Sequence, residues 1–257
     1  TLDGTLFPYT TLFRSYFIRG RFAPAEDWAT VWRAILTWLM PAEAMPPLSW
    51  EATVRPSFTE REPLPRDAER QAFGRGCDWY YRSRVLIHPT WSNYLAPKFA
   101  RSVESGPSVP DYLVNGDGRS GILEGFSAEI DHEGRQNQRY VIRTDCISES
   151  AMALALHGEV TGNETSRDVA EGLIDYALFD SLIHQGVRAD PYHPTYGLLA
   201  WGVTSWAWER AFYGDDNARS LLGMIAVSAV LREPRWGESI CRALLANLRT
   251  TGALGFR

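Results

Sequence analysis

Two segments, YGLLAWGVTSWAW (196–208) and LLGMIAVSAVL (221–231), carry apolar residues around most of a helical circumference instead of along one stripe. A helix of that kind has no face to give to water and needs neighbours on both sides. The other periodic segments are amphipathic. Trp28, Val31, Trp32, Ile35, Leu36 and Leu39 predict a helix over 24–40, and Phe73, Cys77, Tyr80 and Tyr81 predict one over 67–85. Further helices are expected over 145–160, over 165–184 behind a Thr-x-x-Asp cap, and over 196–213, 215–232 and 234–250. Long helices joined by short loops pack antiparallel to their neighbours. Alternation of apolar inner helices with more polar outer ones is what a two-layered ring of helical hairpins requires.

One β-hairpin interrupts the helices. Residues 121–130 and 138–144 alternate like strands and are joined by Asp131-His132-Glu133-Gly134. Residues 88–120, rich in Pro, Ser and Gly, read as a loop ending in the turn Asn115-Gly116-Asp117-Gly118. The proline-rich stretch 41–66 reads as an extended linker, because proline removes backbone donors and fixes φ. Residues 16–66 are therefore expected to be the tail of an upstream domain plus this linker, and 67–257 a separate helical domain. Residues 5–15, TLFPYTTLFRS, resemble the conceptual translation of a short-read sequencing adaptor, so 1–15 are expected to be artefact. Missing upstream and downstream parts of the same chain are expected, and no compartment can be read.

Composition excludes several classes. A net charge of -5, from 26 basic and 31 acidic residues, leaves no basic footprint for nucleic acid. No apolar run approaches the roughly 18 residues that cross a bilayer. Cys77, Cys146 and Cys241 are far apart, odd in number and without a C-x-x-C pair, and are expected to be free thiols. No histidine pair has ligand spacing, and Arg119 occupies the position where a calcium loop would need a third oxygen, so no metal is expected. No serine elbow, phosphate loop or dinucleotide fingerprint occurs, and no cofactor is expected.

The segments NGDGRSGILEGFSAEID, RTDCISESAMALAL, PYHPTYGLLAWGV, FYGDDNARSLLG and WGESICRALLANLRTTGALGFR together resemble bacterial six-hairpin glycosidase-like proteins, over about residues 67–257. The resemblance implies a mainly α fold, a partial (α/α)6 toroid with one inserted β-hairpin. It also implies carbohydrate chemistry at an acidic, aromatic cleft on one end of the ring. An incomplete ring is expected to expose apolar surface along its last helix.

Glycoside hydrolysis needs one carboxyl to protonate the leaving oxygen and one carboxylate to attack or to activate water, about 5–5.5 Å apart in retaining and about 6.5–9.5 Å in inverting enzymes. Three regions supply candidates. Asp117 and Glu124 flank glycines ahead of the hairpin, where Asp117 is equally suited to close its own turn. Asp145 and Glu149 share one face at a helix start, where they also suit capping and the helix dipole. Arg143 stands two positions earlier, able to pair with either or to bind a substrate carboxylate. Asp215 and Asp216 follow Tyr213 and Gly214, again at a helix start.

The catalytic candidates are thus Asp145, Glu149, Asp117 and Asp216. Glu124, Arg143, Asp215 and the loop residues Trp91, Tyr192 and His193 are candidates for substrate contact, the aromatics as stacking surfaces and His193 for proton transfer. The first function expected is a glycoside hydrolase acting on an oligosaccharide or polysaccharide. The alternatives are a polysaccharide lyase with Tyr192 or His193 as base, and a non-catalytic toroid that binds glycans or proteins.

Overall fold

The computed structural model describes residues 25–41, 44, 45, 47, 48, 52, 62–131 and 133–253. The expectations for 1–15, for most of the 41–66 linker and for the last four residues lie outside the described residues. The chain divides into two units, one of residues 1–66 and 127–137, the other of 67–126 and 138–257.

In the first unit the periodic segment forms α1, Ala25–Leu39, in which Ala29 is buried while Trp38 and Leu39 stay exposed. The unit also holds the tip of the hairpin. There the Asp131 carboxylate accepts hydrogen bonds from the Glu133 and Arg135 amides and from Arg135 Nε. Gly134 supplies the left-handed residue, with φ of +82°. The bonds from Arg135, backbone first, pull the Asp131 carboxyl down to about 2.

The second unit opens with α2, Ala68–Arg82, which buries Cys77 and sets Phe73 edge-on to His157. Residues 88–120 are not all loop. A 3-10 turn, Pro89–Trp91, leads into α3, Ser92–Ala100. Pro97 lies inside α3 and hid it from a reading that treats proline as a break; the helix persists by burying Leu95. The small antiparallel sheet has the order β1-β3-β2, with β1 at Ser105–Gly106, β2 at Gly125–Ile130 and β3 at Gln136–Arg139. The strands are shorter than the alternation predicts. Residues 121–123 instead bond to the chain at 85–87, and the Glu124 amide donates to Val141.

The remainder is two helical hairpins. In the first, α4, Thr144–Thr161, ends on left-handed Gly162 (φ +72°) and turns directly into α5, Glu164–Asp175. The cap of α5 is Asn163, whose Oδ1 accepts from the Ser166 amide at 2.9 Å, and not the predicted Thr165. The expected single helix over 165–184 is also corrected. After α5 one π-turn, Tyr176–Asp180, ends the helical run.

After the short α6, Trp206–Glu209, the second hairpin pairs α7, Gly214–Leu231, with α8, Gly237–Thr250, through left-handed Arg232 and the Glu233 cap. Helix α4 packs against α5, α7 and α2, and α7 packs against α8. Gly223 of α7 sits where a Cβ would lie 2.6 Å from the Ser148 carbonyl oxygen of α4, which explains how closely these helices approach.

The helix predicted over 196–213 does not exist as such. Only Trp206–Glu209 is helical; residues 196–205 run as irregular chain through the core. Their apolar character has a different cause from the one inferred. Leu198, Leu199 and Ala200 are buried, and their backbone groups are satisfied from outside: Asn217 bonds both the amide and the carbonyl of Leu199, Ile183 accepts from Ala200, and Ala211 accepts from Trp201. Gly202 lies so close to the Ile142 carbonyl that no Cβ would fit.

Among the described residues no helix is long and apolar enough to cross a membrane. The last helix does leave Leu244, Leu245 and Leu248 exposed.

Candidate functional site

The start of α4 and the start of α7 bring together acids that are 71 positions apart. Arg143, the extended residue before α4, donates through Nη2 to Asp145 Oδ2 and to Asp216 Oδ1, both at 2.8 Å. Its Nη1 reaches Glu124 Oε1 at 3.3 Å, and Glu124 Oε2 also accepts from Arg139 Nε at 3.0 Å. Arg219, one turn along α7, holds Glu149 in a bidentate pair at 2.8 and 2.9 Å and lies 3.5 Å from Asp145.

Since two Asp oxygens each lie 2.8 Å from one nitrogen, they are no farther apart than about 5.6 Å. Asp145 and Asp216 are both buried, whereas Glu124 and Arg143 are partly open and Glu149 and Arg219 more so. Burial is the main reason the Asp145 carboxyl is pushed up from the usual carboxylate range; Arg143 opposes it, and the neighbouring Asp216 reinforces it by charge and by hydrogen bonding. Burial disfavours the Arg143 cation, but the Asp216 hydrogen bond and the Asp145 charge outweigh it and hold the guanidinium charged. Burial, then the Asp145 charge, raises the adjacent Cys146 thiol to about 12, which keeps it protonated and unreactive. Asp145 Oδ1 and Arg143 Nε are buried without a hydrogen-bond partner among the described residues.

One wall of this cluster is aromatic. Trp201 lies 5.4 Å from the Arg143 guanidinium, stacks on Trp208 at 4.1 Å and meets Tyr213 edge-on at 5.3 Å. Trp201 and Trp208 are half-buried and Tyr213 is half-exposed, so ring surface remains open beside the acids.

Five of the sequence candidates, Arg143, Asp145, Glu149, Asp216 and Glu124, thus meet, with Arg219 beside them. The others do not join them. Asp117 closes its own turn, accepting from the Arg119 amide, and its loop packs on Gly172 of α5. Asp215 is exposed in the first turn of α7. Trp91 is not a stacking surface: it is fully buried, with Nε1 donating to the Val114 carbonyl at 2.7 Å. The indole needed an internal acceptor and found one in the loop that follows, a pairing without a sequence signature. Tyr192 is 96% exposed, its amide tied to Asp190 Oδ1, and His193 Nδ1 bonds Thr195 Oγ1. Neither contacts Arg143. Trp201, Trp208, Tyr213 and Arg219 were missed as site residues, because the segments carrying the first two read as a core helix.

Among the described residues no three His, Cys, Asp or Glu side chains gather so as to hold a metal ion. Compared with protein families, curated proteins and solved structures, the chain matches none.

Proposed function

We propose that this chain is a carbohydrate-active, glycoside hydrolase-like protein built on part of an (α/α)6 toroid. The carrying observation is the convergence of Asp145 and Asp216 on one guanidinium nitrogen beside the Trp201 ring. Supporting the toroid are two helical hairpins that meet through α4 and α7, the inner helices such a ring would have.

An upper bound of about 5.6 Å on this pair of carboxylate oxygens is compatible with the close spacing, about 5–5.5 Å, of a retaining enzyme. Asp145, with its raised pKa, is the proton donor to the glycosidic oxygen. Asp216 attacks the anomeric carbon as the bond to the leaving sugar breaks. Water then hydrolyses the glycosyl-enzyme, with Asp145 taking its proton. Arg143 holds both carboxylates in place, and Trp201 and Tyr213 offer faces on which a sugar ring stacks.

The test is release of reducing sugar from a panel of neutral and acidic oligosaccharides, with product stereochemistry followed by NMR. Retained configuration is expected, with Asp145→Asn and Asp216→Asn each lowering kcat at least about a hundredfold. Inverted product, or unchanged kcat in either variant, overturns the assignment. The near-complete burial of both aspartates favours a second reading, a glycan-binding toroid in which the carboxylates fasten α4 to α7. Glycan binding by the wild type without turnover selects it.

A further inference from the structure

Arg188, at the end of the turn Gly186–Arg188, and Arg242 both act on His184, and neither contacts a carboxylate among the described residues. Arg188 is 4% exposed. Its Nη1 donates to the Leu182 carbonyl at 2.9 Å, and its guanidinium lies 5.0 Å from the Phe212 ring. The opposite edge of the fork is unused: Nε is buried without a partner, and Nη2 makes no hydrogen bond to a described residue.

Arg242 of α8 is half-buried and directs Nε and Nη2 to His184 Nε2, at 3.2 and 3.0 Å, and Nη2 also reaches Ser239 Oγ at 3.4 Å. Neither arginine forms an ion pair among the described residues. Glu209 acts on Arg188 only from beyond pairing distance. His184, fully buried, accepts from a guanidinium and is therefore the neutral tautomer. Burial first, and then the charge of Arg242, push it down to about 4. A cation taken out of water without a counter-charge is costly, so an anion that reaches it recovers Coulomb energy the protein leaves unused. The free Nε/Nη2 edge has the two parallel donors that match a planar or tetrahedral oxyanion.

We propose that Arg188 and Arg242, with Ser239 beside them, form a binding site for the oxyanion of a small acidic ligand, a carboxylate or a phosphate. Arg188 supplies the bidentate fork and Arg242 the second charge, oriented by His184. The site shares no residue with the Asp145 and Asp216 cluster, and binding there does not depend on hydrolysis.

The experiment measures thermal shift and calorimetric binding of the full chain with glucuronate, inorganic phosphate and uncharged glucose. The oxyanions are expected to raise Tm and to bind, with any glucose binding unchanged by Arg242→Gln; whichever oxyanion binds more tightly identifies its source as sugar acid or phosphate. Arg242→Gln, at a half-exposed position, and Arg188→Gln are each expected to weaken oxyanion binding at least tenfold. In Asp145→Asn, which removes the proposed proton donor, oxyanion binding is expected to match the wild type. The proposal falls if neither oxyanion binds, or if folded Arg242→Gln, checked by circular dichroism, binds oxyanions as the wild type does.

Discussion

Arg143 and Arg188 are both arginines largely withdrawn from water in the same helical unit, yet their surroundings are opposite. Arg143 faces three carboxylates and holds two helix starts together. Arg188 meets a carbonyl and an aromatic ring and, among the described residues, no carboxylate. In the first case the guanidinium is a structural necessity for the acids around it; in the second it serves a carbonyl and a ring and touches no counter-charge among the described residues. A buried charge without an internal counter-charge costs free energy that a bound counter-ion can return.

Three measurements sharpen or break this contrast. The largest effect is expected for Arg143→Met, which strands two buried aspartates. Urea unfolding at pH 7 is expected to show a loss of about 3–5 kcal/mol, whereas Arg188→Met stays within about 1 kcal/mol of the wild type. Equal losses would erase the difference between the two regions.

Next is the pH dependence at His184, which titrates near 6.5 when unfolded and at about 4 when folded. The unfolded chain therefore binds more protons between these values. The stability His184 contributes is fully present above pH 6.5 and is lost as pH falls towards 4, by about 3 kcal/mol in all. His184→Asn is expected to remove this slope from the pH 4–6.5 window of unfolding free energy. An unchanged slope means that burial and the neighbouring arginines do not hold the histidine neutral.

The smallest effect belongs to Arg219→Gln. Its pair with Glu149 is bidentate but exposed to solvent, so a loss of about 0.5–1 kcal/mol, shrinking with added salt, is expected from thermal unfolding. A loss comparable to that of Arg143→Met would place Arg219 among the groups that hold the acidic cluster.

Helices α1, α2, α4, α7 and α8 were legible from the length, apolar content and period of their segments. Part of the site was legible as well. Asp145 with Glu149 and Asp215 with Asp216 mark helix starts, and Arg143 stood out beside the first pair. Which members of each pair point inward was not legible. Asp216 is buried against Arg143 while adjacent Asp215 faces solvent, a choice set by how α7 is rotated against α4. The segment 196–205 misled because apolar content reports burial, and burial alone does not tell a helix from a chain threaded through a core; Trp91 misled the other way, a loop position hiding a buried ring.

The sequence by itself determined where most helices begin and end and that acids gather at those beginnings, because capping, glycine and hydrophobic period act over a few residues. Only the tertiary structure decided that residues 143, 145 and 216 share one hydrogen-bond centre, that Asn217 replaces helical bonding for Leu199, and that Arg188 keeps an open edge. Those outcomes depend on the packing of helices far apart in sequence, where angles and approach distances are set by every side chain between them.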